Sequence, residues 1–238
     1  MDARTGLGRR SRRRRRGAAM NFDAHAHLPE GGAESVPAAW RGVVCAVRAE
    51  DFPKLAALAA AREGVVPAFG VHPWFAETFD EDAFAALRRF LETTPRAQVG
   101  EIGLDAARTG AAPLALQREV FARQLALAAE KGVPAHVHCV RAWGELTAVL
   151  RGAERLPPRL HLHAFSGSAE TARELTRLAD ATFSFSPKQL ARRSPKLERV
   201  LAALPRARVL AESDAPADFL GKRLSSRLLE SFQRKIPF

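Results

Sequence analysis

The feature that most limits the fold is an alternation. From Met20 onward, short apolar, β-rich runs take turns with longer segments whose apolar residues recur at three and four. The runs are NFDAH (21–25), VVCAV (43–47), VVPAFGV (65–71), AQVGEIG (97–103), VPAHVHC (133–139), RLHLHAF (159–165), ATFSFS (181–186) and ARVLAES (207–213). The helical segments are FPKLAALAAAREG, DEDAFAALRRFLET, LALQREVFARQLALAAEKG, WGELTAVLRGAE and SAETARELTRLAD. The glycine closing AEKG predicts a helix stop, and Ser168 just ahead of Glu170 and Thr171 predicts a cap. The first and second runs have no clear helix between them. Eight strands with helical crossovers in 238 residues predict an α/β fold, a closed parallel (β/α)8 TIM barrel over residues 20–238. A doubly wound open sheet is the structural alternative.

That scaffold gives the polar residues an address. His25 and His27 close the first run, His72 follows the third, and Glu101 sits near the end of the fourth with Asp105 behind it. His138 closes the fifth run, His163 the sixth, and Asp214 follows the eighth. Barrels of this kind build their sites at the carboxyl ends of the strands, so these residues are expected at one mouth. Period-two alternation places His25 and His27 on one inward face. The imidazoles of His25, His27, His138 and His163, with the carboxylates of Glu101 and Asp214, suit a transition ion such as Zn2+ or Mn2+ better than Ca2+. His136 and His161 lie two residues deeper on the same faces and are expected to pack in the interior or support the ligands. Glu101 taken alone reads equally as a helix cap or an arginine partner, and Cys139 as a small core residue.

Composition narrows the setting. The net charge of +11 suggests nucleic acid, but seven of those charges belong to residues 1–19, where eight arginines face one aspartate. This head has too few apolar residues to fold around and is expected to be disordered. It either holds phosphates electrostatically or is not translated, Met20 being a second start. No apolar run is long enough for a membrane span. Two cysteines, Cys45 and Cys139, are too few for a disulfide framework and point to a reducing, cytoplasmic setting.

The motifs FDAHAHL, GVHPW, GEIGLDAAR, HCVRA, HAFSGS and ESDAP occur in one order between Met20 and about Asp218. In that order they resemble the TatD-like metal-dependent hydrolases, a branch of the amidohydrolase-like barrels. The resemblance implies a barrel with two divalent ions (Zn2+, Mn2+, Mg2+ or similar) that hydrolyses phosphodiesters, with deoxyribonuclease activity and DNA as the usual substrate. It implies that His25, His27, Glu101 and Asp214 hold one ion, and that Glu101 bridges to a second held by His138 and His163. Two ions so placed clamp the attacking and leaving oxygens. Glu101 and Asp214 are then the catalytic carboxylates, with Asp214 orienting or deprotonating the attacking water. His72 and Arg108 are candidates to bind the phosphate; His72 reads equally as a loop brace beside Pro73.

Three departures qualify this reading. Val140 stands where many family members carry arginine, with Arg141 one position later. Ser213 replaces a threonine but keeps the hydroxyl. After ESDAP the tail ADFLGKRLSSRLLESFQRKIPF matches none of the usual continuation, although Leu220, Leu224, Leu228 and Phe232 form an i, i+4 stripe. The tail is either a replacement helix or out-of-frame sequence that truncates the barrel. Two other functions therefore stand beside the nuclease. One is an ester or amide hydrolase using the same metals, such as an aminoacyl-tRNA deacylase. The other is an inactive barrel whose arginine head binds nucleic acid.

Overall fold

The computed structural model of the chain describes residues 22–192 and 194–216. The arginine head and the Leu220 to Phe232 stripe lie outside the described residues. Within them, eight parallel strands pair in chain order: β1 (Phe22–His27), β2 (Arg41–Cys45), β3 (Val65–Phe69), β4 (Gln98–Asp105), β5 (Ala135–Val140), β6 (Leu160–Leu162), β7 (Ala181–Phe185) and β8 (Val209–Ala211). Between β8 and β1 the chain closes just past the strand. Asp214 N–H donates to His25 O at 3.1 Å, and His27 N–H to Ala215 O at 3.0 Å. The barrel is nearly closed, as the alternation predicts.

The crossovers are α1 (Phe52–Ala61), α2 (Glu81–Thr93), α3 (Leu114–Lys131), α4 (Trp143–Gly152) and α5 (Ala169–Leu178), followed by α6 (Pro187–Ala191) and α7 (Pro195–Ala203). Gly132 ends α3 in the left-handed conformation, φ 64°, and Ser168 caps α5 by accepting the Thr171 N–H at 3.2 Å. The link from β1 to β2 carries only a 3-10 turn at Ala33–Ser35. The two helices after β7 have local signals that periodicity misses. Each begins with Ser-Pro, which sets an N-cap and a helical φ at the first position. Ser194 Oγ accepts the Leu197 N–H at 3.2 Å.

Packing follows the two faces of each strand. The outward residues of β5 to β7, among them Val137, Leu160, Leu162, Phe183 and Phe185, are fully buried beneath α3, α4, α5 and α7. Phe52, Leu55, Val65, Phe69 and Leu87 form the corresponding layer on the other side. The inward face holds a small apolar patch of Val43, Cys45 and Ala68. Most of the rest is polar: His136, His161, Thr182, Ser184 and Glu212 are all buried. Interiors of this fold are commonly filled by branched apolar side chains, so a polar interior needs internal partners.

Candidate active site

One carboxylate organises the mouth. Glu101 is 1% exposed, and its two oxygens face different histidines. Oε2 lies 3.3 Å from His25 Nε2 and 3.9 Å from His27 Nε2. Oε1 lies 2.8 Å from His163 Nε2, 2.9 Å from His138 Nδ1 and 3.2 Å from His72 Nε2. Asp214 joins from the exposed rim, with Oδ1 3.4 Å from His27 Nε2 and 3.9 Å from His163 Nδ1. The six residues expected to hold metal therefore converge, and His72 is in the same cluster.

Local backbone explains the aim. β3, β6 and β8 end earlier than their apolar runs, so His72, His163 and Asp214 sit just beyond the ladder, where the chain is free to turn inward. Ala164 and Asp214 hold positive φ, 43° and 51°, which non-glycine residues adopt at a cost and which clusters at functional sites. Gly103, at φ 140°, lets β4 pass the His138 backbone; a Cβ there would meet His138 O at 2.0 Å.

The charges are set by burial and by each other. Burial alone would raise the Glu101 carboxyl, but His163, His72 and His25 hold it well below the ordinary range. Burial works against a charged His163 ring, yet Glu101 lifts it to about 9. His25 is pushed down to about 4 by burial and by His163, whose ring stacks on it at 3.9 Å. Burial also opposes ionisation of Asp214, but its bond to His27 and the nearby His163 and His25 lower it.

A supporting ring surrounds these groups, and most of it was not assigned from the sequence. Asp105 Oδ2 lies 3.3 Å from His138 Nε2 and accepts the Trp74 indole N–H at 2.7 Å. Burial pushes Asp105 up, but these bonds hold it at about 2, so it is anionic and fixes which His138 nitrogen turns toward Glu101. Buried Gln117 accepts the Asp105 N–H at 2.7 Å and donates to Asp105 O, Arg108 O and Ala112 O, which shapes the loop after β4. Glu212 accepts the Ala164 N–H at 2.8 Å and a short bond from the Ser184 hydroxyl, and burial raises it to about 7. Period-two spacing back from Asp214 was the available signal for Glu212. Cys45 Sγ is 3.5 Å from His25 Nδ1. His136 and His161 lie below the cluster, bonded to Gln98 and to Thr182 and Ser184. Arg108 is at the rim, its guanidinium 3.9 Å over the Trp74 ring.

The donor set suits metal. His25 Nε2, Glu101 Oε2 and His163 Nδ1 are buried without a hydrogen bond, and leaving such groups unpaired is costly. Donor atoms of His25, Glu101 and His163 lie within 4.8 Å of one another, as do those of His72, Glu101 and His138, and of His25, His27 and Asp214. Buried imidazoles around carboxylates are ligands for divalent transition ions.

Comparison with known proteins agrees. The chain is 34% identical to a 3'-5' ssDNA/RNA exonuclease TatD of Cronobacter sakazakii over 70% of its own length and 63% of that protein's. It is 29% identical to the uncharacterized metal-dependent hydrolase YabD of Bacillus subtilis over 86% of this chain and 85% of that one. The aligned part thus falls short of two thirds of the Cronobacter protein. The fold superposes on YJJV, a TatD homologue from Escherichia coli K12, with TM-score 0.73 and 28% identity, covering 83% of this chain and 80% of that one. A TatD-family hydrolase from Entamoeba histolytica shares the fold at TM-score 0.65 and 17% identity, covering 82% and 73%. The family model for TatD related DNase matches residues 22–236, so the match extends through the tail, which the motifs alone had set outside the family pattern. The chain belongs to the TatD related DNase family.

Proposed function

We propose that the chain is a divalent-metal-dependent nuclease that hydrolyses phosphodiester bonds in single-stranded DNA or RNA, with two ions shared across Glu101. The observation that carries this is the division of the Glu101 carboxylate: Oε2 faces His25 and His27, and Oε1 faces His138 and His163. In this reading His25, His27 and Asp214 would hold one ion, His138 and His163 would hold the other, and Glu101 would serve both. The names of the TatD exonuclease relatives support the substrate class.

Ions held there would supply Lewis-acid polarisation of a phosphoryl oxygen and a nucleophile at neutral pH. The protein's own residues do the rest. Asp214 stays ionised and lies at the solvent side of the cluster, so it orients the attacking water and accepts its proton. His72 presents Nε2 at the Oε1 edge of Glu101, where it meets a phosphate oxygen from inside the mouth. Arg108 meets phosphate from the rim, where a planar guanidinium binds two oxygens at once. Glu212 braces the His163 loop through Ala164, and Asp105 braces His138. Among the described residues no helix is long and apolar enough to cross a membrane. Two free buried cysteines suit a reducing compartment, and we assign the work to the cytoplasm.

The test is a panel of single-stranded oligonucleotides with and without chelator, using Glu101→Ala beside wild type. Expected are chelator-sensitive cleavage and a loss on the order of 10^3 or more in the variant, beyond the 10^2–10^3 attributed to one preorganised donor, with an unchanged circular dichroism spectrum. Unchanged turnover by a folded Glu101→Ala protein would reject the assignment.

A further inference from the structure

We propose that Trp74, overlaid by Arg108, is a stacking platform for one base of the single strand, beside the Glu101 cluster. This rests on the nucleic-acid reading above and adds how the strand is gripped. Trp74 is 36% exposed; the other large apolar side chain exposed to that degree among the described residues is Phe22, at the opposite end of β1. An exposed indole is usually unconstrained, but this one is held on several sides. Its N–H donates to Asp105 Oδ2 at 2.7 Å, its backbone N–H to His72 Nδ1 at 3.2 Å, and its ring centroid is 4.7 Å from that of His72 and 6.3 Å from that of His138. An indole already fixed in place beneath the guanidinium loses little entropy when a base stacks against the pair.

Charge selects the occupant. The Arg108 guanidinium lies 3.9 Å over Trp74, and the Arg48 guanidinium 3.8 Å over the neighbouring Phe75. Among the described residues neither has a carboxylate partner. Two rings overlaid by two free cations match a strand of alternating bases and phosphates, since bases stack on aromatic rings and on guanidinium planes while phosphates take the charge. A cleft of about 560 Å3 runs along Trp74, Phe75 and Arg108, with the small residues of 109–112 as its far wall. Trp74 is joined to Glu101 by a bonded chain through Asp105 and His138, so a base seated there lies beside the cluster.

Trp74 also supports Asp105, so the test must separate stacking from bracing. Labelled thymidine ten-mers and ten-mers of abasic sugar phosphate carry the same charge but differ in bases. Their Kd values are measured by anisotropy on wild type, Trp74→Phe and Trp74→Ala, with turnover followed in parallel. The platform predicts that wild type prefers the base-bearing strand by about ten-fold, within what one stacked base contributes. Trp74→Phe keeps the preference despite losing the indole N–H, and Trp74→Ala removes it. Equal binding of both strands by wild type, a preference that survives in Trp74→Ala, or binding of neither strand would overturn the proposal. A preference without turnover would leave the platform standing and sink the nuclease reading.

Discussion

The two faces of the same strands follow opposite rules. On the outer face of β7, Phe183 and Phe185 are fully buried against apolar neighbours, and Phe183 meets Phe165 edge-on at 4.9 Å. One residue away on the inner face, Thr182 and Ser184 bond to His161, and Ser184 reaches Glu212. The outer layer gains stability by removing carbon from water. The inner layer keeps polar groups out of water and bonds most of them in a chain from Thr182 to the His163 loop, leaving His136 Nδ1 unbonded within it and Glu101 Oε2, His25 Nε2 and His163 Nδ1 unbonded at its top. Stability is concentrated between the sheet and helices, and chemistry inside the barrel.

The sharpest way to break that division is to exchange the effects. Phe183→Ala should cost about 3–5 kcal/mol in urea unfolding while kcat/KM of the folded protein stays within about twofold. A variant that folds as well as wild type but loses turnover would contradict the separation.

Acid comes next. Burial and the nearby His25 hold the His136 ring at about 3, below its ordinary 6.5. The unfolded chain then takes a proton that the folded ring refuses. The stability this group contributes is complete above pH 6.5 and falls as pH drops toward 3, by about 1.4 kcal/mol per pH unit. His136→Leu should flatten that acid limb in denaturant titrations at stepped pH. An unchanged slope would mean that His136 titrates freely.

Ser184→Ala should have the smallest effect and touch both layers. It strips a partner from Glu212 and from His161, costing about 1–3 kcal/mol, and it loosens the brace on the His163 loop, lowering kcat/KM by about ten-fold. No change in either measurement would show that the inner chain of bonds is incidental.

What could be read in advance follows from the range of the interaction responsible. The order of strands and α1 to α5 was legible because periodicity is local. So was the convergence of His25, His27, Glu101, His138, His163 and Asp214, because strand ends of a barrel share one mouth. The helices α6 and α7 escaped because their apolar pattern is short. The premature ends of β3, β6 and β8 escaped because apolar runs continue past the point where the ladder stops. Asp105 with Trp74, Glu212 with Ser184, and Cys45 with His25 are pairings between residues distant in the chain, set by the third dimension, and no spacing along the chain announces which partner each takes.

The claim on which the account turns is that Glu101 is shared between two cations. Anomalous diffraction from crystals of this chain soaked in Mn2+ tests it directly. The account predicts two peaks flanking the Glu101 carboxylate, one beside His25 and His27 and one beside His138 and His163. A single peak, or none near Glu101 in crystals that bind Mn2+ elsewhere, would contradict it.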